Sequence, residues 1–172
     1  MILPEPFAKN KTLINVVIET PRGSQNKYVF NAEQDYFELK KILPFGTVFP
    51  IDFGFIPGTL GEDNQPVDVL VFSDFPFFPG CVIQCRCLGV LNVEQKDKSR
   101  KYRNDRIVAV PDESQTYSGF KTAGDINQSL LNELIRFFEY YNEMEGKKFK
   151  FLGLGNKSAA IKLISKSLHL SV

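Results

Sequence analysis

No stretch of this 172-residue chain is long and apolar enough to span a bilayer, and the N-terminus carries no signal-peptide core. A membrane partner is therefore not expected, and the cytoplasm is the default location. An excess of one charge is also missing. The 21 basic and 20 acidic residues leave a net charge of +1, which gives no argument for nucleic acid as a partner. Cysteine is scarce and odd in number. Cys81, Cys85 and Cys87 sit in one strand-like run, where residues two apart share a face roughly 7 Å apart, too far for an easy disulfide. Reduced, partly buried thiols are expected, and not a zinc site, whose ligand pairs come from turns. The single histidine, His169, falls at the end of the last helical stretch and reads as an end residue rather than a ligand. There are no repeats, linkers or breaks in composition, so one domain over residues 1–172 is expected.

What is present is ordinary globular material, 43% hydrophobic and 24% charged, with clear local signals. Leu13 to Glu19 reads as a strand, Pro21 to Ser24 as a turn, and Lys27 to Phe30 as the returning strand. Tyr36 to Leu43, Val67 to Phe72, Cys81 to Leu91, Ile107 to Pro111 and Lys148 to Leu152 are further strand candidates. Asp125 looks like an N-cap. Beyond it Leu130, Leu131, Leu134, Phe137, Phe138, Tyr141 and Met144 recur at helical spacing, and Gly146 stops the helix. Asn156 or Ser158 is expected to cap a closing helix with Ala159, Ala160, Leu163 and Ile164 inward. Glu94 to Arg106 is so highly charged that a solvated loop is expected. Short strands with one long and one terminal helix define an α+β class.

The most informative stretch is Phe49 to Val71. Gly54, Pro57, Gly58 and Gly61 turn the backbone repeatedly, the acids Glu62, Asp63 and Asp68 follow within seven residues, and Pro66 fixes the local φ. A carboxylate at the start of a strand, beside a rigid acidic turn, presents hard oxygens of the kind Mg²⁺ takes together with water and phosphate. Asp63-Asn64-Gln65-Pro66-Val67-Asp68, followed by Val69-Leu70-Val71, resembles the D-x-D-P-x-D and V-D-V-L-V signature of the family I inorganic pyrophosphatases. The hairpin around Glu19 and Lys27, the Ile107-Val108-Ala109-Val110-Pro111 strand and the FFEYYNEMEGKK helix end extend the resemblance over most of the chain.

The resemblance implies an OB-like five-stranded β-barrel with flanking α-helices, homo-oligomers, and Mg²⁺-dependent hydrolysis of pyrophosphate, with Mn²⁺ as the alternative ion. It puts Asp63, Asp68 and Glu19 among the metal-facing acids, with Asn104 where the family has an aspartate. It puts Lys27, Lys41, Arg106 and Tyr141 at phosphate-binding places, Gln65 at the general-base place and Asn142 at a lysine place. Phe49, Phe53 and Phe55 stand where tyrosines are usual. One further acid place falls on Gln95 when counted forward and on Ser99 when counted backward, and Glu94 or Asp97 could serve instead. An amide cannot accept a proton as a carboxylate does, and lysine lacks arginine's fork. The implied activity is therefore weakened. The alternative is a non-catalytic homologue that binds a phosphate-containing anion or a protein partner.

Overall fold

The computed structural model describes residues 2–8 and 12–168; His169 lies outside them. Strands β1 (Ile14–Thr20), β4 (Asp52–Phe55), β5 (Asp68–Val71), β8 (Arg106–Pro111) and β6 (Val82–Lys96) pair in that order, and β6 pairs back with β1. The ring therefore has no open edge at that seam. All of these pairings are antiparallel except β5 with β8. β2 (Asn26–Asn31) and β3 (Tyr36–Ile42) form a separate two-stranded sheet. β7 (Lys101–Arg103) and β9 (Lys148–Asn156) extend β6 on its two sides. Helices α1 (Gln128–Met144) and α2 (Lys157–Leu168) complete the α+β fold.

Strand alternation separates two cores. Val69, Val71, Ile107, Ala109, Cys85 and Cys87 point to one face, where Ala160 and Ile164 of α2 pack. Leu70, Phe72, Val108, Val110 and Leu88 point to the other, against Leu131, Leu134 and Phe138 of α1. The three thiols are free, as expected, and Ala160 and Ile164 are buried while Ala159 is exposed. The ring closes tightly at Gly54, where a Cβ would lie 2.2 Å from the Val17 carbonyl oxygen.

Two local expectations are corrected and one alternative is resolved. The cap of α1 is Asn127, whose Oδ1 accepts from Leu130 N at 2.8 Å; Asp125 instead closes the short turn before it. Asn156, not Ser158, caps α2, accepting from Ala159 N at 2.9 Å. The charged segment after Val93 is largely not a loop: β6 continues to Lys96 and returns as β7, because β9 supplies it with a ladder of backbone partners.

Candidate active site

The parallel pair β5 and β8 sets the centre. With Val69 opposite Ile107, the first residues of the two strands, Asp68 and Arg106, come side by side. Arg106 Nε lies 3.5 Å from Asp68 Oδ2. The guanidinium is 3% exposed and rests on the face of Phe138 at 3.9 Å, with Phe149 and Phe53 at 5.3 and 5.8 Å. Its Nε and Nη1 are buried and reach no hydrogen-bond acceptor. Burial pushes the Asp68 carboxyl up to about 6, against the opposing pull of Arg106 and Lys27. Burial likewise lowers the Arg106 pKa.

Hairpin β2–β3 brings in two lysines as direct cross-strand partners, Lys27 and Lys41. Like charges placed opposite one another repel, and each is held by its own acid. Lys27 Nζ pairs with Glu19 Oε2 at 3.2 Å and lies 4.1 Å above the Phe53 ring. Lys41 Nζ pairs with Glu145 at 3.7 Å and lies 5.1 Å from the Tyr141 ring. Burial, followed by the Glu145 carboxylate, raises the Tyr141 hydroxyl well above its ordinary value.

The acidic turn is built by its own backbone. Gly61 N donates to Gln65 O at 2.7 Å, and Asn64 takes φ 61°, a conformation asparagine tolerates better than most side chains. Asp63 Oδ1 accepts from Gln65 N at 3.1 Å, yet burial still raises its carboxyl. The exposed Gln65 side chain turns back, Nε2 donating to Asn64 O at 3.0 Å.

Of the two counts left open by the sequence, the structure brings Gln95 inward. It is 5% exposed, and its Nε2 donates to Asn142 Oδ1 at 2.7 Å. Asn104 Nδ2 donates to Gln95 Oε1 at 3.0 Å, and Asn142 Nδ2 to the Phe138 carbonyl at 2.8 Å. Asn142 is 2% exposed, and both ends of its amide are engaged in this chain. Glu94 pairs with Lys101 at 3.0 Å, and Asp97 caps a turn, accepting from Ser99 N and Arg100 N; neither joins the centre. Sequence reasoning missed Lys147, which pairs with Glu145 at 3.4 Å and acts on Asp63. It also missed the ring stack beneath Arg106. Lys147 follows the helix stop with no pattern of its own, but the arginine at a strand start beside an aspartate strand was a usable signal.

A ring of short strands flanked by two helices, with an acidic turn facing clustered cations, defines an OB-like phosphate-handling class. The particular family follows from comparison. The model of the inorganic pyrophosphatase family matches residues 16–171. An inorganic pyrophosphatase of Synechocystis sp. is 37% identical over 161 residues, covering 94% of this chain and 93% of its own. One from Sulfolobus acidocaldarius is 36% identical over 151 residues, covering 86% and 85%. The crystal structure of the Thermus thermophilus inorganic pyrophosphatase superposes with a TM-score of 0.88 at 32% identity, covering 98% of this chain and 96% of its own. The chain belongs to the inorganic pyrophosphatase family, as its motifs indicated, and no helix among the described residues is long and apolar enough to cross a membrane.

The family is in general dependent on divalent metal. Among the described residues, no three histidine, cysteine or acidic side chains gather as a cage for a metal ion. Asp63 and Asp68 are nevertheless two carboxylates whose burial disfavours their charge, and a cation would relieve that cost. Mg²⁺ is commonly held by one or two carboxylates plus substrate phosphate oxygens. The residues present fit an ion of that kind, shared with a substrate.

Proposed function

We propose that the chain binds pyrophosphate in this centre and hydrolyses it slowly to two phosphates. The observation that carries this reading is the pair of half-buried carboxylates, Asp63 and Asp68, beside a buried guanidinium with an unsatisfied N–H group, with Lys27 acting on Asp68 and Lys41 its cross-strand partner. The names of relatives 33–37% identical over most of the chain support it. Asp63 and Asp68, with Glu19 and the Asn104 oxygen beside them, would hold Mg²⁺ or Mn²⁺. When bound, such an ion neutralises phosphate charge and makes water a better nucleophile.

The chain's own groups do the rest. The free N–H groups of Arg106 donate to a phosphoryl oxygen, and the ammoniums of Lys27 and Lys41 orient its neighbours through charge. The Tyr141 hydroxyl, kept protonated by burial, donates. Gln65 can align a water but cannot take its proton, and Phe53 offers no hydroxyl. General-base catalysis typically contributes about 10²–10⁴-fold, and the weakened turnover is of that order.

A second reading, a non-catalytic homologue binding a phosphate-containing anion or a partner, is favoured by one contact: the Gln65 amide is bonded back onto Asn64 rather than held over the cations. Phosphate release measured with Mg²⁺ and with Mn²⁺, beside pyrophosphate calorimetry, separates the two. Slow release supports hydrolysis, and tight binding without release supports the second reading. Absence of both refutes the site. The reading extends to one cytoplasmic domain over residues 1–172 that binds no nucleic acid and no membrane. It also takes the chain as a homo-oligomer, supported by Phe45, Phe75 and Phe78, which are 99, 81 and 66% exposed.

A further inference from the structure

The three buried amides have a direction that chemistry dictates. The Phe138 carbonyl can only accept, so Asn142 must turn its NH₂ toward it, as seen at 2.8 Å. Asn142 then offers its oxygen to Gln95, whose NH₂ donates at 2.7 Å. The Gln95 oxygen in turn takes the NH₂ of Asn104 at 3.0 Å. Each link leaves one end of the next amide free to face onward. Asn104 therefore has its carbonyl oxygen left over. An independent feature shows where that end of the chain leads. Asn104 and Asp63 line one cavity of about 260 Å³ between the acidic turn and α2. The other carboxylates on its wall are already engaged: Glu62 accepts from Arg103 N at 2.9 Å, and Asp105 from Arg103 and Val93 N. Arg103, paired with Asp105 at 2.7 Å, and Lys166 also line it, so the side-chain oxygens it offers a cation are those of Asp63 and Asn104.

We propose that Gln95 and Asn142 are positioning residues that present the Asn104 oxygen, rather than its NH₂, to the cavity it shares with Asp63, so that Asn104 serves as a neutral ligand for a divalent cation. The proposal rests on the reading of the centre given above. An amide turned the other way would present a donor, which repels a cation and favours an anion. The relay therefore decides the sign of what Asn104 can hold. Neither Gln95 nor Asn142 touches the ion in this arrangement. Substitutions in groups that orient metal ligands typically weaken binding about 10–100-fold.

The test is calorimetry of Mn²⁺ alone, without pyrophosphate, on the wild-type chain and on Gln95→Met, Asn142→Leu and Asn142→Asp. Both apolar variants should bind Mn²⁺ about 10-fold or more weakly. Asn142→Asp still accepts from Gln95 Nε2, so it should keep the relay and the affinity while losing stability as Asn142→Leu does. The added carboxylate itself attracts Mn²⁺, so the comparison is repeated on Gln95→Met, where the relay is cut: an advantage of Asn142→Asp over Asn142→Leu that is the same in both backgrounds, or unchanged affinity in both apolar variants, overturns the proposal. Wild-type chain that binds no Mn²⁺ on its own overturns the proposal, and none bound with pyrophosphate present overturns the cation reading of the centre itself. The side-chain amide resonances of Asn104 in wild-type protein give a reading that no folding defect can spoil: they should move on titration with Mg²⁺, and resonances that stay still contradict the assignment.

Discussion

Replacing Arg106 by methionine separates what the guanidinium does for the fold from what it does for a ligand. Breaking a buried ion pair is ordinarily expected to cost about 3–5 kcal/mol. The geometry here gives a different answer. The rise of the Asp68 pKa from 3.8 to about 6 means that, at pH 7, the buried carboxylate already costs about 3 kcal/mol. If Arg106 were removed, Asp68 could at worst take up a proton. At pH 7 that limit is about 4.4 kcal/mol, so the added penalty is about 1.4 kcal/mol. A desolvated cation–π contact with Phe138, 3.9 Å away, accounts for about 2 kcal/mol more. Against these stands the buried Nη1, which has no acceptor and costs about 1–3 kcal/mol that methionine does not incur, while Nε at least faces the Asp68 carboxylate. The variant should lie within about 2 kcal/mol of wild type at pH 7.

The pH dependence is sharper. An acid whose folded pKa is raised loses stability as pH climbs from its unfolded value toward its folded one. Near pH 5 Asp68 is already mostly protonated in both proteins, and its added penalty disappears. The variant should therefore gain about 1.4 kcal/mol on wild type between pH 7 and pH 5. Urea unfolding at the two pH values, with chelator present, measures this directly. A loss of about 3–5 kcal/mol that is the same at both pH values would refute the reasoning. The same variant should lose pyrophosphate binding.

Restoring carboxylates with Gln65→Asp and Asn104→Asp together should raise phosphate release by about 10²-fold or more, read in a Mg²⁺ assay; no gain would mean that the scaffold has shifted as well. Gly54→Ala puts a methyl group 2.2 Å from the Val17 carbonyl oxygen, so the β1–β4 contact should fail and the chain should be recovered insoluble or without a cooperative melt. Asn127→Ala removes the cap on Leu130 N and should cost about 1 kcal/mol by denaturant titration with activity unchanged, whereas an equal loss from Asp125→Ala with none from Asn127→Ala would reverse the assignment.

The two strands that set the centre, β5 and β8, were legible as apolar runs that begin or end at a turn signal, whereas β4 was missed because Gly54, Pro57 and Gly58 read as turns although Gly54 is there to let β1 approach. Val69 and Val71 against Leu70 and Phe72 is a pattern that two packed faces impose on any sequence. The acidic turn was legible because glycine, proline and aspartate there have few conformational alternatives. The span from Glu94 to Arg103 was not. Its charges suggest solvent, yet Glu94, Lys96, Lys101 and Arg103 stand on the outer face of a ribbon whose inner face carries Gln95 and Tyr102, and the partner that makes it a ribbon, β9, lies some fifty residues away. The same distance hid the relay. Nothing local to Gln95, Asn104 or Asn142 shows that three amides spread over forty-seven residues share one line of hydrogen bonds. The ring faces under Arg106 were hidden for that reason too, since Phe138 and Phe149 belong to elements that meet it only through the fold.

The one parallel pairing in the ring has a consequence for how the molecule comes together. Parallel neighbours cannot be joined by a tight turn; the chain must leave, travel, and return. Between Asp68 and Arg106 it makes the whole length of β6 and β7 before it does so. During synthesis the aspartate therefore emerges well ahead of its counter-charge and stays hydrated until β8 arrives. Dehydration of the pair therefore cannot precede β8, and a chain that ends before it carries the aspartate without its partner.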